Sequence, residues 1–166
     1  MTCPYLCSIT KNQKMKNVKV EPFKIIGISI RTTNENGQAA RDIPALWEKM
    51  TNENIADLIP DKTEHTIYSM YTDYEKDHTR PYTTVLGCKV ENLDNIPEGM
   101  EGYSFDGGNY MKFTVRGDLS KGLVINQWIK IWEMDLGRMF TADFEIYGEK
   151  AQNPADAEVD ILIAVK

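Results

Sequence analysis

Cysteine and histidine are scarce in this chain. Its 166 residues hold three cysteines and two histidines, and Cys3, Cys7 and Cys88 form no CxxC pair. A structural zinc needs about four closely spaced Cys or His ligands, and a disulfide framework needs an even set, so neither is expected. Cys88, inside the apolar run VLGC, has the setting of a small core residue. The phosphate-cradling GxGxxG and GxxxxGK[ST] loops and the GxSxG nucleophile turn are missing. No cofactor or metal is therefore expected, and covalent catalysis has no visible machinery.

Long apolar runs are missing too. No stretch free of charged residues exceeds ten, whereas a membrane-spanning helix needs about 20 apolar residues. The first ten residues lack the basic start of a signal peptide, so a cytoplasmic protein without membrane contact is expected. Basic residues are in the minority, 19 against 25 acidic, for a formal charge of −6. Nucleic-acid binders present a basic face, so no direct nucleic-acid partner is expected of this chain alone.

What is present is a globular composition, 42% hydrophobic and 27% charged, with the length of one domain. Residues 1–17 show neither periodicity and are expected to form a loose leader. From Val18, VKVEPFKIIGISIR has the β-branched content of a strand, with Pro22 marking an edge or bulge. Ile43, Leu46, Trp47 and Met50 then fall on one helical stripe, with Pro44 in its first turn, and TIYSMYTDY and PYTTVLGCKV follow as strands.

The second half repeats this order. GYSFDGGNYMKFTVRG reads as a strand pair or one bent strand. Ile125, Trp128, Ile129, Trp132 and Leu136 mark a helix ending near Gly137, and ADFEIYGE and AEVDILIAVK close the chain as strands. ALWEKM parallels KIWEMDL, and YSMYTDY parallels FEIYGEK. The expectation is an α+β domain over residues 18–166, built of two β-α-β-β units at about 18–92 and 101–166. They would form one curved antiparallel sheet with two main helices flanking a cleft at a pseudo-twofold axis.

Glu145 is the residue of most interest. In Ala142-Asp143-Phe144-Glu145-Ile146-Tyr147 a period of two puts Asp143, Glu145 and Tyr147 on one face, and Phe144 and Ile146 on the other. A carboxylate facing the cleft would be desolvated and would call for a cation or for hydrogen-bond donors. Aromatics crowd the segments around it: Trp47, Tyr68, Tyr71, Tyr82, Trp128, Trp132, Phe144 and Tyr147. Trp and Tyr faces attract cations and stack on flat apolar molecules. Asp73, Glu75, Asp77 and His78 cluster in a turn and are expected to be solvated.

The order YSMYTDYEKDHTRPYTTVLGCKV, GNYMKFTVRG, WIKIWE and ADFEIYGEKAQNPADAEVDILIAVK resembles the GyrI-like effector-binding domain family, including its stand-alone, integron-associated members. That resemblance covers about Val18 to Lys166. It implies a duplicated fold around a central cleft that, in multidrug-sensing transcription regulators, binds lipophilic cations opposite a cleft glutamate. Asp143, Phe144, Glu145 and Tyr147 match the motif of that glutamate, which makes Glu145 the charge partner and Trp47, Tyr82, Trp132 and Tyr147 the walls. Tyr68, Phe144 and Trp128 join the candidates by their position. Residues 1–17 are too few for a helix-turn-helix, so none is expected in this chain, and any signal is expected to pass to a separate protein partner, or the compound to be sequestered. Two alternatives remain: a small hydrolase of electrophilic compounds with Glu145 as general base, and an interaction protein like those relatives that inhibit DNA gyrase.

Overall fold

The computed structural model describes residues 14–166. Among the described residues eight strands make one antiparallel sheet: β1 (Lys14–Val20), β2 (Phe23–Thr32), β3 (Ile67–Thr72), β4 (Tyr82–Val90), β5 (Glu101–Phe105), β6 (Gly108–Gly117), β7 (Ala142–Tyr147) and β8 (Ala157–Ala164). Three α-helices interrupt them, α1 (Gln38–Asn52), α2 (Ile55–Leu58) and α3 (Leu123–Trp132). Among the described residues no helix is long and apolar enough to cross a membrane.

The sheet order is β1-β6-β8-β7-β3-β4-β2-β5. Exchanging β1 with β5, β2 with β6, β3 with β7 and β4 with β8 turns this order into its own reverse, so the duplication expected from the sequence is present in the topology. The first half carries one strand more than expected, GYSFDGGNYMKFTVRG is the strand pair of its two readings, and each half lends its first strand to the other: β1 pairs with β6, and β5 pairs with β2. The dyad falls between β3 and β7, where Ser69 stands opposite Glu145.

Chain geometry dictates the curvature. β1 and β2 lie six strand positions apart in the sheet, as do β5 and β6. In a flat sheet that is about 29 Å at roughly 4.8 Å per strand. The connections are Glu21-Pro22 and Asp106-Gly107, and each bridges about 11 Å at most from one strand end to the next. The sheet must therefore curl until its edges nearly meet, although β1 and β5 share no ladder. Gly107 sits where they meet, at φ +71°, and a Cβ there would lie 2.1 Å from the Val20 carbonyl oxygen. Gly27 and Gly87, paired across β2 and β4, likewise leave no room for a side chain at the bend.

Inside the curl Phe23, Tyr68, Phe105, Tyr110 and Phe144 pack with Ile25, Met70 and Leu162. Phe23 on β2 lies 5.4 Å from Phe144 on β7, ring centre to ring centre, although the two strands are three positions apart in the sheet, a contact that needs a curled sheet. On the outer face α1 covers Ile28 and Leu86 through Leu46 and Met50. There α3 covers Phe113, Val159 and Ile161 through Trp128 and Ile131. Cys88 is buried among Ile26, Ile59 and Val90, and burial pushes its thiol up to about 11.

Four local expectations are corrected. The strand expected from Val18 is two strands broken at Glu21-Pro22, and the first already starts at Lys14, so residues 14–17 belong to the sheet; residues 1–13, with Cys3 and Cys7, lie outside the described part. Lysines on this edge strand mask its alternation. Pro44 is the seventh residue of α1, not a first-turn residue, because the helix starts after left-handed Gly37. Helix α3 stops at Trp132, short of Gly137. Ile125 and Ile129 on it are about half exposed, because the buried side of α3 is Gln127, Trp128 and Ile131.

Candidate functional site

The helices do not close over the two central strands. Between α1, α3 and the outer face of β3 and β7 lies a cavity of about 1020 Å³, and Glu145, Tyr147, Trp47, Tyr82, Trp132 and Trp128 all line it. Tyr71, Tyr74, His78 and Arg138 line it as well. The two remaining candidates, Tyr68 and Phe144, are corrected: both lie in the core inside the curl, on the opposite face of the sheet. Strand alternation forces this for Phe144, the neighbour of Glu145. The Ser69–Glu145 register forces it for Tyr68, which adjoins Ser69.

Glu145 is 2% exposed. Its Oε1 accepts hydrogen bonds from the Tyr71 hydroxyl at 2.8 Å and the Trp128 indole N–H at 2.7 Å, and its Oε2 from the Tyr147 hydroxyl at 2.6 Å. In the alignment of YSMYTDY with FEIYGEK, Tyr71 corresponds to Tyr147 and Ser69 to Glu145. Two dyad-related tyrosines thus converge on one carboxylate beside the axis. Burial raises the Glu145 carboxyl above the ordinary carboxylate range, and the bonds from Tyr147, Trp128 and Tyr71 oppose that rise. Tyr71 and Tyr147 are held as neutral phenols, by burial first and by the Glu145 charge second.

Asp143, two residues earlier on the same face, has a different environment. Its Oδ2 accepts from Arg138 Nη2 and from the Tyr74 hydroxyl, each at 2.7 Å, and its Oδ1 accepts from the Ala164 N–H at 2.8 Å. The Arg138–Asp143 pair is buried on both sides, at 6% and 0% side-chain exposure. One carboxylate is thus neutralised by a cation, while Glu145 has neutral donors and no ion pair among the described residues. When ionised, Glu145 leaves the wall with an unbalanced negative charge, and burial opposes that ionisation.

Aromatic rings surround that charge. Trp47 meets Tyr147 edge to face at 4.8 Å, and Tyr71 meets Trp128 at 5.3 Å and Tyr82 at 6.0 Å. Tyr82 donates to Asn34 Oδ1 at 2.7 Å, and Asn34 donates to the His78 carbonyl at 2.8 Å, which ties the turn after β3 to the segment before α1. His78, expected in a solvated cluster, instead stacks on Trp132 at 5.2 Å with the rings within 4° of parallel. Sequence reasoning also left out Tyr74 and Arg138. Both come from loops with no periodicity to aim their side chains, and the signal available for Arg138 was its place five residues before an aspartate on the Glu145 face of β7.

A family described as integron-associated effector binding protein matches residues 18–165. The chain belongs to this family. The effector-binding fold just described is shared with an integron cassette protein from the mobile metagenome of Vibrio cholerae, at 28% identity and a TM-score of 0.73, over 94% of this chain and 100% of that one. In sequence, the Bacillus subtilis (strain 168) protein named "Putative transcriptional regulator protein YobU" is 31% identical over 147 residues, 86% of this chain and 92% of its own. A structure of SAV2435 bound to tetraphenylphosphonium has the same fold, with a TM-score of 0.71 at 18% identity over 92% of this chain and 94% of that one.

Proposed function

We propose that this effector-binding protein takes up aromatic or amphipathic cations in the cavity between α1 and α3, with Glu145 as the charge partner. The observation that carries the reading is the buried, ionisable Glu145 without an ion pair among the described residues, on an aromatic-walled cavity, whereas Asp143, two residues earlier on the same strand, is paired with Arg138. A desolvated carboxylate favours any cation that can approach it, and Trp and Tyr rings stabilise the same cation through their faces. Three of the roughly four acceptor sites on Glu145 are already filled by protein donors. Attraction is therefore mainly Coulombic, which suits cations whose charge is spread over an apolar body rather than small ammonium groups seeking several hydrogen bonds. The cavity is at the upper end of the roughly 300–1,000 Å³ of drug-sized pockets. SAV2435, of like fold, has been captured with a cation of this class.

The test is titration of the intrinsic tryptophan fluorescence with tetraphenylphosphonium and with neutral triphenylmethane in the same cosolvent. All three tryptophans, Trp47, Trp128 and Trp132, line the cavity, so occupancy should quench them. Saturable binding of the cation at least tenfold tighter than the neutral compound supports the reading. Equal affinities, or no saturable binding of the cation, overturn it.

A further inference from the structure

The cavity wall holds a second polar feature that charge pairing with Glu145 leaves unused. Arg138 gives one nitrogen, Nη2, to Asp143, while its Nε and Nη1 are buried and have no hydrogen-bond partner among the described residues. His78 Nδ1, on the same cavity, is buried without a partner as well. Buried donors left unmade are rare in folded proteins, and each asks for an explanation. The guanidinium is held by its ion pair and by the Phe140 ring, which lies 4.3 Å from Cζ, with the Trp128 ring 5.9 Å away. A ring over its face leaves only in-plane N–H groups to bond, and a guanidinium can donate but never accept.

We propose that Arg138, beside His78, is an acceptor-binding subsite, so that the preferred ligand is a cation carrying an uncharged oxygen or nitrogen acceptor about one aromatic ring away from its positive charge. The spacing follows from the strand: Asp143, which anchors Arg138, and Glu145 are two residues apart on one face, about 7 Å. The acceptor is uncharged because the Arg138 charge is already balanced by Asp143, and a ligand anion would meet the unbalanced charge of Glu145 nearby. His78 adds no charge at this end, since burial and the neighbouring Arg138 favour its neutral form. This inference rests on the cation reading of the cavity and specifies the ligand within it.

The experiment compares two near-isosteric probes, triphenylphosphonium bearing a para-acetylphenyl group and triphenylphosphonium bearing a para-isopropylphenyl group, by fluorescence titration of the wild-type protein. Both carry the same charge and nearly the same volume, and only the first has an acceptor. The acetyl compound is expected to bind about tenfold more tightly, the scale of one hydrogen bond to a charged donor. In Arg138→Lys, which keeps a positive charge but loses the planar fork, the ratio of the two affinities falls toward one, whatever happens to the affinities themselves. A ratio near one in the wild type overturns the subsite and leaves the cation reading standing, and needs no variant to fold. A ratio unchanged in a folded Arg138→Lys protein also overturns it. Failure of the isopropyl compound to bind the wild type overturns the cation reading, and the subsite with it.

Discussion

Replacing Glu145 by Gln is the most informative single change, because it removes a charge while keeping the shape. The carboxamide oxygen still accepts from Tyr71 or Trp128, and the phenol hydroxyls can turn to accept from its amide. A cation stacked on the surrounding rings would have its charge about 6–7 Å from the carboxylate. At an effective dielectric of about 20 that attraction is worth roughly 2.5 kcal/mol, or about 50- to 100-fold in affinity. Tetraphenylphosphonium titrated by tryptophan quenching should weaken by that factor, and triphenylmethane by less than about threefold. The thermal midpoint should hold or rise slightly, since a desolvated charge has been removed. A loss below about threefold for the cation, or an equal loss for the neutral compound in a folded variant, would refute the reasoning.

Three further outcomes follow from the same contacts. The Glu145 carboxyl is raised above its ordinary 4.5, so its proton stabilises the fold below that value, and the contribution is lost as pH rises through the raised pKa. Cation affinity runs the other way, tightening as pH rises through the same window, and titrations stepped upward from the ordinary carboxylate range should show the slope in wild type and its absence in Glu145→Gln. Arg138→Met leaves Asp143 buried without its cation and should cost about 3–5 kcal/mol, lowering the thermal midpoint by roughly 6–20 °C in calorimetry. Gly107→Ala should be destabilising by at least 1 kcal/mol in a denaturant titration, because φ is +71° and the Val20 carbonyl occupies the Cβ position.

Elements with a clear periodicity were legible in the sequence. The alternation of ADFEIY separated the two faces of β7, both of them largely buried, and the stripe through Leu46 and Met50 gave α1. Cross-strand register was not legible: only the pairing of Ser69 with Glu145 decides that Tyr71, not Tyr68, reaches the carboxylate, and no local pattern encodes that pairing. Phe144 is a different case, since alternation already put it on the far face and density of aromatics alone made it a candidate. The polar end of the cavity stayed hidden because Tyr74, His78 and Arg138 arrive from loops, whose side chains are aimed by tertiary contacts such as Asn34 to the His78 carbonyl. The partners of the lent strands β1 and β5 were obscured for a related reason: the halves exchange them, so each pairs with residues far from it in sequence.

The dyad also explains why there is one carboxylate and not two. Ser69 and Glu145 are at once equivalent in the internal repeat and opposed across β3 and β7, so their Cβ atoms lie about 5 Å apart. Acidic residues at both places would confront each other in a dry wall, and the duplication must be asymmetric there. Ser69 is fully buried and instead donates to the Tyr71 hydroxyl at 3.2 Å, which orients that phenol toward Glu145. Ser69→Asp should create a pair that shares a proton, as like charges so close do not both ionise. At pH 7 the cavity would then still carry one negative charge, and tetraphenylphosphonium affinity should change by less than about threefold. The folded variant would hold about one proton more than its unfolded chain, so its stability should fall with pH more steeply than the wild type, by about 1.4 kcal/mol per pH unit near neutrality. Denaturant midpoints at three pH values measure this. An unchanged pH slope together with a further gain of tenfold or more in cation affinity would mean that both carboxylates ionise, and that the wall is far better solvated than the burial of Ser69 and Glu145 implies.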